Sequence, residues 1–263
     1  MSVLEAIILG IVQGLTEFLP VSSSGHLTIG KELLGIQTDN LAFEVVVHAA
    51  TVLSTIVAFR KEILSLAAGF FRFRMNDETI YLFKIAVSMI PILIAGLFFK
   101  DFIESLFGQG LIIVGVSLLI TSLLLTLSGK IRSREKELTY GRAFIIGIAQ
   151  SFAVLPGLSR SGATISTGLM LGIKREDVAK FSFLMVLVPI LGEAILELMS
   201  GDFSVQSAGI EAVPLFSGFV AAFLSGLFAC KAMIALVKKT KLRGFALYTA
   251  VIGAASIAVA LLF

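Results

Sequence analysis

Polar side chains interrupt an apolar stretch near the start of the chain, in the sequence EFLPVSSSGH. Gln13 and Glu17 have a spacing of four residues, which places both on one face of a helix. A carboxylate inside an apolar segment is costly and usually functional. Because Mg²⁺ and Ca²⁺ prefer oxygen ligands, Glu17 with an amide oxygen predicts part of a divalent-cation site that substrate phosphate oxygens would complete.

Three serines and a histidine follow Pro20, which is expected to break the apolar segment into two helical arms. Ser23 and His26 have a spacing of three residues, which brings a hydroxyl and an imidazole onto one helical face. A serine beside a histidine is typical of a nucleophile with its general base. Ser22 and Ser24 are expected to cap the following helix or to bind substrate oxygens.

A second polar cluster has the sequence PGLSRSGAT and carries Arg160 between Ser159 and Ser161. An arginine at this depth is costly unless an anion meets it, and its planar guanidinium suits phosphate oxygens. Glycines and serines that lead into a helix expose backbone N–H groups to an anion, and Thr164 adds a hydroxyl one turn later. The alternative is an internal ion pair between Arg160 and Glu17, which could open for a substrate.

The elements that position these residues are predicted to lie in a membrane. The sequence is 57% hydrophobic and 15% charged, with a mean hydropathy of +1.00, which is far more apolar than a soluble domain. Six segments approach the length of about 20 apolar residues that crosses a bilayer. They are Phe43–Phe59, Ile80–Phe99, Leu111–Ser128, Val178–Met199, Pro214–Val237 and Phe245–Phe263.

Two further regions, Ser2–Gly30 and Gly141–Gly172, are apolar at both ends and broken in the middle by proline, glycine and serine. Their sequences GIVQGLTEFLPVSSSGHLT and GIAQSFAVLPGLSRSGAT share a glutamine, a Leu-Pro pair and a Ser-X-Ser-Gly ending in the same order. This similarity indicates a duplication. Irregular backbone at membrane depth is tolerated only inside protein or beside water, so each region predicts a re-entrant hairpin of two helical arms.

Each predicted hairpin is followed by three crossing segments, an odd number, so the two halves must have opposite orientations. We predict one all-α integral membrane domain over residues 1–263, built as an inverted-topology repeat with six transmembrane helices and two re-entrant helical hairpins. The first repeat covers 1–130 and the second, inverted repeat covers 141–263. Inverted repeats with broken helices place their special site near the midplane between the repeats.

The charges of the predicted loops indicate the orientation. Fifteen Lys and Arg residues lie in the loops assigned to one side, and two lie in the loops of the other side. The first group comprises 60–79, 129–142, 173–177 and 238–243, and the second comprises 31–42, 100–110 and 200–213. The positive-inside rule makes the first group cytoplasmic and places both chain termini outside.

Other polar residues are weaker candidates. Glu44 and His48 share a helical face and could be either supporting partners of the site or part of an interhelical hydrogen bond, with a structural role favoured. Glu193 and Glu197 suggest either a solvated face or a channel lining. The sequence contains no P-loop and no nucleic-acid-binding motif, and orientation accounts for the basic loops.

At these residues the chain resembles the undecaprenyl-diphosphate phosphatase family, also called bacitracin-resistance proteins. The resemblance rests on QGLTE, SSSGH and PGLSRSGAT, and the six-crossing plan fits nearly the whole chain. The family pattern permits Glu or Gln at the first position of its acidic motif, and Gln13 stands there in this sequence. This glutamine removes one carboxylate ligand and puts a two-carboxylate metal site in doubt.

The resemblance implies a phosphatase of the bacterial plasma membrane that converts undecaprenyl diphosphate into undecaprenyl phosphate and inorganic phosphate. It also implies that the reaction requires a divalent cation, Mg²⁺ or Ca²⁺, and that the site opens to the outer, periplasmic face. It implies that Glu17 holds the metal or acts as acid and base, and that Ser23 and His26 are the nucleophile and its base. Arg160 would contact the diphosphate, with Ser159 and Thr164 as supporting hydroxyls. Direct attack by His26, or activation of water by it, is the alternative mechanism.

A lipid flippase or secondary transporter is the competing function, because inverted repeats with broken helices also build those proteins. An anion site at the repeat interface would then bind a head group during transport. The sequence leaves a homodimer open and fixes neither the metal nor the preferred lipid length.

Overall fold

The computed structural model of the chain describes residues 1–36, 41–106, 110–131, 135–192, 211–239 and 242–262. Within these ranges the regular structure is helical, apart from an isolated bridge between Lys136 and Ile173. The helices in chain order are α1 (Val3–Phe18), α2 (Ser23–Leu33), α3 (Leu41–Ala58), α4 (Arg60–Phe70), α5 (Asp77–Phe98), α6 (Lys100–Leu106), α7 (Gly110–Lys130), α8 (Tyr140–Phe152), α9 (Arg160–Met170), α10 (Arg175–Met185), α11 (Ala212–Lys239) and α12 (Arg243–Leu262).

Four helices in the described residues, α5, α7, α11 and α12, are long and apolar enough to cross a bilayer. A fifth candidate is the pair formed by α3 and α4, which is bent by 75° at the junction. Five of the six segments predicted to cross therefore coincide with helices. These lengths and compositions are those of an all-helical protein with several membrane spans.

The sixth predicted segment, Val178–Met199, is not one uninterrupted helix. Helix α10 ends at Met185, and the chain is helical again over 187–192. Pro189 accounts for the break, because its ring lacks an N–H and clashes with the carbonyl four residues earlier, which is that of Met185. Residues 193–199, with Glu193 and Glu197, lie outside the described residues.

Two predicted loops contain helices. Helix α4 occupies most of the basic segment 60–79, and the short helix α6 lies in 100–110. The side chain of Asn76 closes the turn after α4. Its Nδ2 donates to the Gly69 carbonyl, and its Oδ1 accepts from the Thr79 N–H. The loop predicted over 60–79 is thus reduced to the short connection between the end of α4 at Phe70 and the start of α5 at Asp77.

Both regions that were predicted to be broken consist of two helical arms, α1 with α2 and α8 with α9. The second arm of each is capped by a serine at the corresponding place in the two similar sequences. The Gly25 N–H donates to Ser22 Oγ at 3.3 Å, and the Gly162 N–H donates to Ser159 Oγ at 3.0 Å. The predicted cap at Ser22 is therefore confirmed, and the same geometry recurs at Ser159.

The first arms of the two hairpins pack closely on long helices, α1 on α11 and α8 on α5. A Cβ on Gly14 would lie 2.0 Å from Ser225 Oγ on α11. A Cβ on Gly147 would lie 2.2 Å from the Ser88 carbonyl oxygen on α5. Glycine is required at both contacts because small residues allow helix backbones to approach closely in a membrane.

The two hairpin tips touch. Ser161 Oγ donates to the Leu19 carbonyl at 3.1 Å, and the Gly157 N–H donates to Ser24 Oγ at 3.4 Å. These contacts bring the polar sequences of both broken regions to one place inside the protein.

Candidate active site

The Glu17 carboxylate lies at the end of α1, and its side chain is only 10% exposed. Its Oε2 accepts a hydrogen bond from Ser23 Oγ at 2.6 Å and another from Gln13 Nε2 at 3.0 Å. The shorter distance is typical of a hydroxyl donating to an ionised carboxylate. The structure thus brings together three of the residues that the sequence singled out, with the Ser23 hydroxyl directed at a potential base.

His26 does not contact Ser23, although the spacing of three residues predicted that it would. Its Nδ1 lies 2.8 Å from the Ser22 carbonyl, and its Nε2 lies 2.8 Å from the Tyr248 hydroxyl. The imidazole also stacks on the Tyr248 ring, with centroids 5.6 Å apart. Both ring nitrogens are therefore occupied, and the hydroxyl of Ser23 is directed to Glu17.

His48 approaches the same carboxylate from α3. Its Nε2 lies 3.8 Å from Glu17 Oε2, which is too long for a direct hydrogen bond. Its Nδ1–H donates to the Glu44 carbonyl at 2.8 Å, and the Glu44 carboxylate pairs with Lys31. Of the two alternatives considered from the sequence, the position of His48 beside Glu17 fits a supporting partner of the site, although the spacing of Glu44 and His48 carries no information about Glu17.

Arg160 begins α9 and faces Glu17 across a small cavity between the hairpins. Its Nη1 is buried and lacks a hydrogen-bond partner, and no salt bridge joins it to Glu17 in the described part of the chain. An unpaired buried guanidinium nitrogen is costly, so a site that leaves one is suited to an anion. The internal Arg160–Glu17 ion pair considered from the sequence is thus not formed.

The cavity between the hairpins has a volume of about 20 Å³, which is space for about one water molecule. Its polar lining combines both hairpins with residues of α3 and α10. The lining side chains that carry polar atoms are Glu17, Thr51, Thr55, Arg160, Ser161 and Ser182. Of these, the two threonines and Ser182 were not identified from the sequence, because no local pattern marks them.

All five hydroxyls predicted to bind substrate have partners inside the protein, and two of them lie on either side of Arg160. Thr164 Oγ1 donates to the Arg160 carbonyl at 2.8 Å and lies 2.6 Å from Ser182 Oγ. Ser159 Oγ is engaged as a helix cap and lies 3.3 Å from Ser161 Oγ. These contacts fix the backbone on both sides of Arg160, whereas Ser161 itself lines the cavity.

The comparison with protein families decides the assignment. The family model described as "Bacitracin resistance protein BacA" matches residues 6–255. The chain belongs to this family. With its apolar helices, this membership identifies a multi-pass membrane protein.

Curated relatives are similar over nearly their whole length. A protein of Bacteroides thetaiotaomicron is 56% identical across 98% of both chains, and one of Parabacteroides distasonis is 56% identical across 100% of both. A protein of Methanococcus vannielii is 43% identical across 93% of this chain and 95% of its own. All three are named undecaprenyl-diphosphatase.

A divalent cation fits the residues of this BacA-family site only with ligands from elsewhere. Gln13 Oε1 is buried and has no hydrogen-bond partner beside the Glu17 carboxylate. Two such oxygens suit Mg²⁺ or Ca²⁺, which complete their coordination with phosphate oxygens and water. No group of three or more His, Cys, Asp and Glu side chains that could hold a metal is found among the described residues.

Proposed function

We propose that the chain hydrolyses undecaprenyl diphosphate to undecaprenyl phosphate and inorganic phosphate, with the diphosphate held between the two hairpin tips. The name shared by the full-length relatives supports the substrate. The observation that carries the proposal is the Glu17 carboxylate, which accepts from the Ser23 hydroxyl at 2.6 Å and lines one cavity with Arg160, whose Nη1 has no partner. The cavity must widen to admit a phosphoryl group.

The reaction proceeds in two steps on Ser23. Its Oγ attacks the terminal phosphorus while its proton passes to Glu17 Oε2, and the bond from that phosphorus to the bridging oxygen breaks. Undecaprenyl phosphate leaves with the bonding electron pair. Water then attacks the phosphoserine phosphorus, and the bond from phosphorus to the Ser23 oxygen breaks. Glu17 returns its proton to that oxygen, and the protons of the water leave with the inorganic phosphate. Glu17 thereby replaces His26 in the role of base.

Arg160 binds the transferred phosphoryl group and stabilises its charge in the transition state. Ser161 lines the same cavity and joins the two hairpin tips through the Leu19 carbonyl, while Ser159 and Thr164 hold the Arg160 backbone in place. Ser22, Ser24 and His26 fix the tip of the first hairpin. His26 has a positioning role through its contacts with the Ser22 carbonyl and Tyr248.

Glu17 and Gln13 are the residues that would hold a divalent cation, Mg²⁺ or Ca²⁺. Such an ion supplies positive charge to the diphosphate oxygens when it is bound. Gln13 also holds the Glu17 carboxylate through its amide N–H, so it orients the base independently of any ion.

Phosphate release by the purified protein in detergent micelles tests this function directly. Wild-type protein supplied with undecaprenyl diphosphate and Mg²⁺ or Ca²⁺ should release one phosphate per substrate without any ion gradient. A flippase or transporter with the same anion site would bind the lipid and release no phosphate. Chelation should stop the release, and restoring the cation should recover it.

The proposed arrangement in the membrane is an inverted repeat with six crossings, two re-entrant hairpins, both termini outside and a site open to the outer face of the plasma membrane. The exchange of packing partners, α1 on α11 and α8 on α5, supports the repeat. The concentration of basic residues in one set of loops supports the orientation.

Labelling with a membrane-impermeant thiol reagent tests this topology. In a Cys230→Ser background, Glu32→Cys should react in intact cells and Glu137→Cys should react only after the membrane is opened. Both native side chains are exposed, so accessibility within the protein is matched. Reaction of Glu137→Cys from outside would overturn the orientation.

Replacing Arg160 by lysine should lower kcat/KM by about 10- to 100-fold, because one ammonium cannot reproduce two parallel N–H bonds to phosphate. Arg142→Lys is the matched control, since Arg142 is a half-buried arginine near the start of α8 whose Nη1 donates to the Glu137 carbonyl. It should stay within about twofold of wild type. Equal rates for the two variants would remove Arg160 from diphosphate binding.

A further inference from the structure

A larger cavity, of about 560 Å³, lies beside the first hairpin and is separate from the small polar one. Leu15, Leu19 and Val21 of the hairpin form one wall, and Gly244 and Tyr248 of α12 contribute to the opposite wall. The volume lies in the range of small-molecule binding sites, whose linings are mostly apolar. We call this cavity the tail groove.

We propose that the tail groove binds the first isoprene units of the polyprenyl diphosphate, an inference that rests on the function proposed above. The groove and the phosphate site share the hairpin tip. Leu19 lines the groove while its carbonyl accepts from Ser161, which lines the polar cavity. Val21 lies two residues before Ser23, so a lipid whose diphosphate meets Ser23 has an apolar path directly beside it.

Tyr248 links the groove to the helix that carries the nucleophile. Its ring lines the groove, while its hydroxyl lies 2.8 Å from His26 Nε2 and its face stacks on the imidazole. His26 lies in α2, whose first residue is Ser23. A polyprenyl chain packed on Tyr248 therefore also restrains the start of α2, which couples recognition of the tail to the placement of the Ser23 hydroxyl.

Gly244 allows the groove to be filled without disturbing the surrounding protein. A Cβ added to Gly244 would meet no atom within 4 Å, and the same holds for Gly141. Each glycine is the second residue of its helix, α12 and α8 respectively. Gly141→Leu is thus a control matched in helix position, added bulk and free space, but located outside the groove.

In Gly244→Leu, the KM for undecaprenyl diphosphate should rise about tenfold, the factor expected when roughly two buried methylene groups lose their contacts. The defect should shrink when a five-carbon prenyl diphosphate is the substrate, because its single isoprene unit fills less of the groove. Gly141→Leu should show no such dependence on chain length. Equal KM values for the two variants on the long substrate would overturn the tail groove.

Photocrosslinking locates the chain independently of turnover. A polyprenyl diphosphate that carries a diazirine in its first isoprene units should label residues 15–21 or 244–248 of the wild-type protein, and excess unlabelled substrate should suppress that labelling. Labelling confined to other helices would overturn the groove. If wild-type protein releases no phosphate, the proposed function fails, and the crosslinked positions still decide where the lipid chain lies.

Discussion

Ser23→Ala is expected to lower kcat by about a thousandfold or more, because the variant lacks the atom that attacks phosphorus. Substrate affinity should change little, since Arg160 and the lipid contacts remain. The measurement is single-turnover phosphate release together with equilibrium binding of undecaprenyl diphosphate. Loss of turnover with retained binding separates a nucleophile from a residue that only binds substrate.

Ser24→Ala is the matched control for this variant. It removes the neighbouring hydroxyl, which contacts Ser22 Oγ and the Gly157 N–H instead of Glu17. Its loss should stay within about tenfold, the scale of one neutral hydrogen bond.

A phosphorylated Ser23 should also be trapped by rapid acid quenching of the wild-type enzyme, because a phosphoserine ester survives acid. A Ser23→Ala enzyme with more than about a tenth of the normal rate, which is roughly 1.4 kcal/mol in barrier, would contradict attack by serine. Water or His26 would then be the nucleophile, and the phosphatase function would stand.

The helical arms of the hairpins could be predicted because their signals are local. Pro20 and Pro156 cannot continue a helix, and serines three residues before a glycine cap the next one. The caps at Ser22 and Ser159 accept from the N–H groups of Gly25 and Gly162, which occupy corresponding places in the two similar sequences. The sequence therefore predicts where the helices break and restart.

The break after α10 had an equally local signal, since Pro189 lies inside the segment that was predicted to cross as one helix. The high hydropathy of Val178–Met199 outweighed that signal in the interpretation. Apolar composition measures how well a segment suits lipid, and it carries no information about whether its backbone can remain helical.

The partners of the candidate site residues could not be predicted, because they are separated widely in sequence. His26 and Tyr248 are 222 positions apart, and His48 reaches Glu17 from another helix. A spacing of three residues permits Ser23 and His26 to meet, but a backbone carbonyl and a distant phenol compete for the imidazole. Tertiary packing decides which of these groups the imidazole contacts, and a local sequence pattern carries no information about that packing.

Glu17→Gln should lower kcat/KM by about a hundred- to ten-thousandfold, the usual contribution of a general base. The amide cannot take the proton of the Ser23 hydroxyl, which the native carboxylate accepts at 2.6 Å. Glu17→Asp keeps the charge but shortens the side chain by one methylene, so its loss should be smaller. Glu44→Gln is the matched control, because Glu44 is a nearby carboxylate that pairs with Lys31.

Titration with Mg²⁺ or Ca²⁺ separates the two roles assigned to Glu17. If the carboxylate also holds the cation, Glu17→Gln should need a higher concentration of the ion for half-maximal activity, while Glu44→Gln should titrate like wild type. If Glu17 is only the base, kcat falls and the titration midpoint stays unchanged. Glu17 would be a structural residue if Glu17→Gln kept the wild-type titration midpoint and a rate within about threefold of Glu44→Gln. Loss of a general base would lower the rate far more than threefold. Ser23 would then require a different proton acceptor, and His48, whose Nε2 lies 3.8 Å from Glu17 Oε2, is the candidate.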